Sequence, residues 1–172
     1  IDPNPILQVE DYKGNALEKY DLENNPPVGE KVLTPEVSYL ISHILLDNNA
    51  RQAAFGSSSQ LVIPNHAVSV KTGTTDDLRD NWTIGYTPSF LVAAWVGNND
   101  NSQMNPYLVS GITGAAPIWT EVMNFVHRND RSPKKEPPTT LVSKEIQFFS
   151  GMESSRQEWF IRGTEPTSGD QR

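Results

Sequence analysis

Residues 67–86 read AVSVKTGTTDDLRDNWTIGY. Up to Lys71 the side chains alternate. Ala67 and Ser69 face one way and Val68 and Val70 the other, which is the two-residue period of a half-buried strand. The strand then sets an ammonium, a hydroxyl, a glycine and a second hydroxyl in a row, Lys71-Thr72-Gly73-Thr74. By the same alternation Lys71 and Gly73 share one face while Thr72 and Thr74 share the other. Gly73 lets a ligand lie close against the backbone, and Lys71 brings positive charge beside that opening. The hydroxyls can bond an anionic group, and a backbone N–H on an edge strand can point at an oxyanion. The set suits a substrate with a carboxylate and a carbonyl about to become tetrahedral. Alone, it equally describes any strand end that carries a solvated lysine.

The neighbouring sequence extends this strand into a sheet. NWTIGYT (81–87) is rich in β-formers and stops at Pro88, and FLVAAWVG (90–97) is a near-continuous apolar run, as in a strand covered on both faces. Short connections predict an antiparallel meander. Upstream, TPEVSYLISHILLDNN (34–49) reads as a helix with Thr34 as N-cap and Pro35 and Glu36 in the first turn. Val37, Leu40, Ile41, Ile44 and Leu45 give it one apolar face, and Asn48-Asn49 a stop. ARQAAFGSSSQLVIPN (50–65) reads as a loop of small and polar residues. ILQVEDYKGNALEKYDL (6–22) reads as a hairpin turning at Lys13-Gly14-Asn15, followed by a loop through Pro26 and Pro27. Downstream, AAPIWTEVMNFVHRN (115–129) is a second helix with Pro117 near its start and Ile118, Val122, Phe125 and Val126 on one side.

After Arg128 the chain becomes charged and proline-rich, which predicts a linker and extended tail over residues 129–172, with apolar clusters at EIQFF and EWFIRG.

Composition excludes several classes. The 172 residues carry a formal charge of −7, a poor match for non-specific nucleic-acid binding or an anionic membrane surface. No apolar run is long enough to span a bilayer, and residues 1–20 show no signal-peptide pattern. There is no cysteine, so Cys nucleophiles, Cys-zinc sites and disulfides are all removed. His43, His66 and His127 lack metal-ligand spacing and read as surface or packed residues. The abrupt opening at IDPNPILQVE, without an initiator Met, reads as a piece of a longer protein.

The ordered series Lys71 to Thr75, Asp80, Trp82, Gly85 to Pro88, Trp95 to Gly97 and Gly114 to Trp119 resembles the penicillin-binding proteins of the class A, bifunctional type. The resemblance is to the C-terminal portion of their transpeptidase domain. It runs over residues 31–128 and continues more weakly into residues 6–20 and the tail EWFIRGTEPT. It implies an α/β (α+β) fold, an antiparallel sheet flanked by helices, with residues 1–128 as part of the transpeptidase domain.

It implies a serine acyl transfer, in which D-Ala-D-Ala stem peptides of peptidoglycan are cross-linked through an acyl-enzyme that β-lactams also form. Carried over by position, Lys71 supports the field and the proton traffic, and the Thr74 N–H is an oxyanion-hole donor. Thr72 and Thr74 hold a terminal carboxylate, and Gly73 keeps the strand surface open. Thr75 adjoins the bound substrate, and Trp82, at the opening of the neighbouring strand, is a substrate-binding residue or an aromatic behind the site. No cofactor is implied.

The family's nucleophile motifs are not found. The only S-x-x-K match, Ser132 to Lys135, precedes Pro137-Pro138 and cannot lie on a stable helix, and no S-x-N occurs. The expected partners are therefore the stem peptide, β-lactams and the N-terminal portion of the same domain, with membrane attachment only through an N-terminal anchor outside this sequence. The parent protein is expected at the extracytoplasmic face of the cell membrane. The alternatives are a D,D-carboxypeptidase or serine β-lactamase, and a non-catalytic module that binds peptidoglycan or a partner.

Overall fold

A computed structural model of the chain describes residues 6–21, 23–24, 26, 29–107, 112–129, 135–147 and 155–167. The chain forms two compact units, Ile1–Thr34 and Pro35–Arg172. In the first, β1 (Gln8–Glu10) pairs antiparallel with β2 (Ala16–Lys19). The turn is organised by Asp11, whose carboxylate accepts the N–H groups of Lys13 and Asn15 at 2.8 and 2.9 Å and the Asn15 side-chain amide at 2.8 Å.

The second unit opens with α1 (Pro35–Leu46), and α2 (Asn48–Phe55) follows directly. This second helix corrects the expected loop over residues 50–65. Asp47 ends one helix and caps the next, accepting the Ala50 N–H at 3.0 Å, and that bond satisfies a backbone donor a helix start otherwise leaves open.

The sheet is the expected meander, β3 (Ser69–Thr74), β4 (Asp80–Tyr86) and β5 (Leu91–Gly97), in the order β3-β4-β5 with both pairings antiparallel. On one face Asn81, Thr83 and Gly85 of β4 are buried beneath α3 (Ala115–Val126). There Val70, Ala94, Ala115, Ala116, Trp119 and Met123 form the core together with Leu61 and Ile63. Trp119 is 0% exposed and donates its indole N–H to the Val92 carbonyl at 3.2 Å.

The other face carries Lys71, Gly73, Trp82, Ile84 and Trp95, and α1 covers only its Ser69–Tyr86 end. Ser69 donates its hydroxyl to the Ser42 carbonyl at 2.7 Å. The Ser42 hydroxyl donates to the Ser38 carbonyl at 2.7 Å and receives the Tyr86 hydroxyl at 3.0 Å. Trp82, Ile84, Leu91 and Trp95 stay 42%, 41%, 68% and 40% exposed, so among the described residues β5 is covered on one face rather than two.

The apolar stripe of α1 also differs from expectation. Tyr39 is buried and Ser38 and Ser42 hydrogen-bond, and of the expected stripe Val37, Leu40 and Leu45 are partly buried while Ile41 and Ile44 are exposed. The small serine brings helix and strand within hydrogen-bonding distance, where leucine or isoleucine would hold them apart.

Within the predicted tail, β6 (Leu141–Gln147) and β7 (Ser155–Ile161) pair antiparallel. Trp159 meets Tyr39 edge-on at 5.9 Å, Arg156 pairs with Asp47 at 3.1 Å and Thr140 donates to Glu36 at 2.5 Å, so this hairpin is anchored to α1 and to the cap of α2. Among the described residues no helix is long and apolar enough to cross a membrane.

Candidate functional site

Among the described residues β3 has a strand neighbour on one side only. In an antiparallel ladder, alternate residues direct both backbone groups at the partner and the others direct both away. The Thr75 N–H reaches the Asp80 carbonyl at 3.0 Å, which fixes the phase. Gly73 and Lys71 also face β4, and the N–H and C=O of Val70, Thr72 and Thr74 point to the open edge. Two side-chain contacts agree with this phase. Arg51 of α2 donates to the Val70 carbonyl at 3.3 Å, and the Lys71 ammonium curls back onto the Thr72 carbonyl. The ammonium therefore sits along the same edge as the outward Thr74 N–H.

The side chains divide as the alternation requires. Lys71 and Gly73 lie on the bare face. A Cβ built on Gly73 would meet only the Trp82 Cβ, at 4.0 Å, so the backbone there is open to a ligand. Trp82 lies opposite Gly73 and tilts against Trp95 with ring centroids 6.5 Å apart. Thr74 is exposed at the strand end, whereas Thr72 is 8% exposed and faces the α3 side.

Thr75 closes the turn into β4. Its hydroxyl accepts the Asp80 N–H at 2.8 Å, and the Asp80 carboxylate in turn accepts the Trp95 indole N–H at 2.9 Å. The sequence-predicted residues thus gather at one end of one strand pair. Lys71, Gly73, Thr74 and Trp82 are accessible, Thr72 is turned inward, and the Thr75 hydroxyl is used in the turn. Ser132 lies outside the described residues. Lys135 donates to the Ser38 hydroxyl at 3.3 Å, on α1.

Two further groups have no place in the sequence-based set. Asn81, 0% exposed, links Thr74 to the start of α3, with bonds of 2.9 Å to the Thr74 hydroxyl and 2.6 Å from the Ala115 N–H. Its signal in the sequence is a strand-disfavoured residue at a core-facing position of β4. Arg51 is half-buried, and burial lowers its pKa against the opposing pull of Asp47. Its Nε and Nη2 have no partner among the described residues. A cavity of about 1090 Å³ lies between α1, the 65–69 segment and β7, lined by His43, His66, Tyr86 and Trp159 among others. None of Lys71 to Thr75 lines it.

No family model matches the chain. Penicillin-binding protein 1A of Escherichia coli (strain K12) is 31% identical over 183 residues, covering 95% of this chain and 21% of that protein. Its namesake in Aquifex aeolicus is 29% identical over 169 residues, 94% of this chain and 22% of the relative. That of Clostridium botulinum is 29% identical over 153 residues, 82% and 18%. The chain thus spans about a fifth of the length of the curated relatives it matches. In fold it is similar to the crystal structure of penicillin-binding protein 1A from Haemophilus influenzae, with a TM-score of 0.72 at 24% identity over 96% of this chain and 30% of that one. Likeness in sequence along most of its length, together with the shared mixed α/β fold, marks this chain as similar to one part of the class A penicillin-binding proteins.

Proposed function

We propose that the chain supplies one wall of a peptidoglycan D,D-transpeptidase site, completed by the N-terminal portion of the same domain. In this reaction a serine hydroxyl attacks the carbonyl of the penultimate D-Ala. The terminal D-Ala leaves as the free amine, and an amine from a neighbouring strand then takes the acyl group from the serine. β-Lactams acylate the same serine. The observation that carries this reading is the edge of β3, where the outward Thr74 N–H, the Lys71 ammonium and the open surface at Gly73 lie together. An N–H aimed at a developing oxyanion contributes about 100- to 1,000-fold in rate. The Thr74 hydroxyl adds a donor for the terminal carboxylate, the buried Thr72 lies behind the strand on the α3 side, and Trp82 and Thr75 frame the ledge.

The serine belongs to chain outside this sequence. Three features support a covering segment: the bare sheet face at Trp82, Ile84, Leu91 and Trp95, the exposed Ile41 and Ile44 of α1, and the two buried Arg51 donors without partners among the described residues. Apolar patches of this kind mark interfaces, and a buried guanidinium calls for an acceptor. The parent protein works at the extracytoplasmic face of the membrane, where its substrate lies.

Covalent labelling with a fluorescent penicillin tests this reading. The complete protein labels and the isolated 172-residue chain does not. Lys71→Ala and Thr74→Val each slow labelling of the complete protein strongly with its fold intact. A stoichiometric adduct on the isolated chain, or unchanged rates in both variants, refutes the reading.

A further inference from the structure

Asn81 lies on β4 directly opposite Thr74, fully buried beneath that exposed residue. Its Oδ1 accepts the Ala115 N–H at 2.6 Å. A backbone amide can only donate, so the carbonyl end of Asn81 is fixed at α3 and the amino end must face β3. The amino group donates to Thr74 Oγ1 at 2.9 Å and approaches the Gly73 carbonyl at 3.4 Å. Gly114 makes this approach possible, because a Cβ there would fall 2.4 Å from Asn81 Oδ1. The start of α3, the centre of the sheet and the end of the edge strand thus meet in one buried amide.

This network has a chemical consequence at Thr74. A hydroxyl carries one hydrogen. Since Oγ1 receives a hydrogen from Asn81, its own hydrogen is not directed at that residue and is left for a group on the open side. A free hydroxyl rotor would have to be ordered each time an anion bound, whereas this one is already set as a donor. Hydrogen bonds to a charged acceptor are the shorter and stronger kind.

We propose that Asn81 is a positioning residue that holds the Thr74 hydroxyl as a donor toward the carboxylate of the bound substrate or β-lactam. The proposal rests on the transpeptidase reading above and adds a residue that never touches the ligand.

The experiment is a mutant cycle on the complete protein, read as the second-order rate of acylation by a fluorescent penicillin. Asn81→Ala frees the hydroxyl. Asn81→Asp keeps the acceptor for Ala115 but, when ionised, draws the Thr74 hydrogen inward. Asn81→Ala, which only leaves a three-well rotor to be ordered, is expected to slow acylation by about 3-fold, and Asn81→Asp, which withdraws the donor, by about 10- to 100-fold, the worth of a hydrogen bond to a charged group. On a Thr74→Val background the same substitutions are expected to change the rate less than about 2-fold, and on a Thr74→Ser background the full loss returns, because only the hydroxyl transmits the effect.

Equal losses on the wild-type and Thr74→Val backgrounds would reduce Asn81 to a tether for α3 and overturn the proposal, as would unchanged rates on the wild-type background. If Asn81→Asp lacks a cooperative unfolding transition, Asn81→Ala carries the cycle alone. A parent protein that does not label at all removes the transpeptidase reading and this proposal with it, whereas a parent that labels normally with an insensitive Asn81 removes only this proposal.

Discussion

At Gly85 the sheet leaves no room for a side chain beneath Trp119 of α3, and enlarging that residue tests whether the contact governs the stability of the site. A Cβ on Gly85 would lie 2.4 Å from Cζ2 and 2.9 Å from Cε2 of Trp119, and 3.1 Å from the Ser69 carbonyl. Real Cβ atoms do not sit that close to carbon, so either the indole or the central strand must move. The indole has little freedom, being fully buried and bonded to the Val92 carbonyl. Overpacking of this kind costs about 1–3 kcal/mol. In a unit of this size each kcal/mol shifts the melting temperature by roughly 2–4 °C, so Gly85→Ala is expected to lower it by roughly 2–12 °C. Near-UV circular dichroism during heating reports the indole environment directly. Trp119→Phe removes the ring that carries both clashing atoms, so Gly85→Ala should cost markedly less on that background, although Trp119→Phe is itself destabilising. An equal cost on both backgrounds would show that the clash is not the cause. A Gly85→Ala protein within about 0.5 kcal/mol of the parent would refute the packing argument outright, since that is the range of ordinary surface substitutions.

Asp47→Ala removes the cap of α2 and the partner of Arg156 together. The cap accounts for most of an expected loss of about 1 kcal/mol, measured by denaturant unfolding, because the ion pair is partly exposed and weak. Asp11 gains hydrogen bonds, first from the Asn15 side chain and then from the Asn15 N–H, and these hold its carboxyl below the usual aspartate pKa. A carboxyl depressed in the folded state stabilises the turn above the unfolded pKa, and that stability is lost as pH falls through the lower, folded value. An NMR titration should therefore find Asp11 titrating below the usual aspartate range in the parent and nearer to it in Asn15→Ala. A normal Asp11 pKa in the parent would count against the turn described here.

The sheet was legible because Val68 and Val70 alternate with Ser69. α3 was legible as a helix but not in its packed face: Ile118, Val122 and Phe125 of the expected apolar side are exposed, and Ala115, Ala116, Trp119 and Met123 are buried instead. The elements less legible in the sequence are those whose reasons are not periodic. α2 has too few apolar residues to show a stripe, and its existence depends on Asp47 serving as its cap immediately after α1. On α1 the strand meets the helix at Ser42, while Ile41 and Ile44 of the more hydrophobic stripe are exposed, and the period alone does not tell which side the strand meets. The attachment of the β6–β7 hairpin runs through Trp159 meeting Tyr39 and Arg156 meeting Asp47, contacts between residues more than a hundred positions apart. At the site, the ledge from Lys71 to Thr74 was legible and its buried support was not. Asn81 matters through two bonds made at right angles to its own strand, and no spacing along the chain encodes them.

An unpaired strand edge is ordinarily a liability, because each outward N–H and C=O can template another strand. Along β3 that liability is removed group by group. Arg51 occupies the carbonyl of Val70, and Lys71 occupies the carbonyl of Thr72. Cations satisfy acceptors and leave donors untouched, so the edge that remains beside Thr74 offers N–H groups within a positive field. An approaching strand needs donors and acceptors in alternation and finds two of the three outward carbonyls already taken. A ligand that brings only acceptors, such as a carboxylate and a carbonyl turning into an oxyanion, finds what it needs. Under the proposed function the edge would therefore take an anionic acyl substrate in preference to a further strand, with the Lys71 ammonium supplying the positive charge. Neutralising Lys71 should accordingly weaken the site twice, by removing a positive charge and by releasing the Thr72 carbonyl to face the same anion.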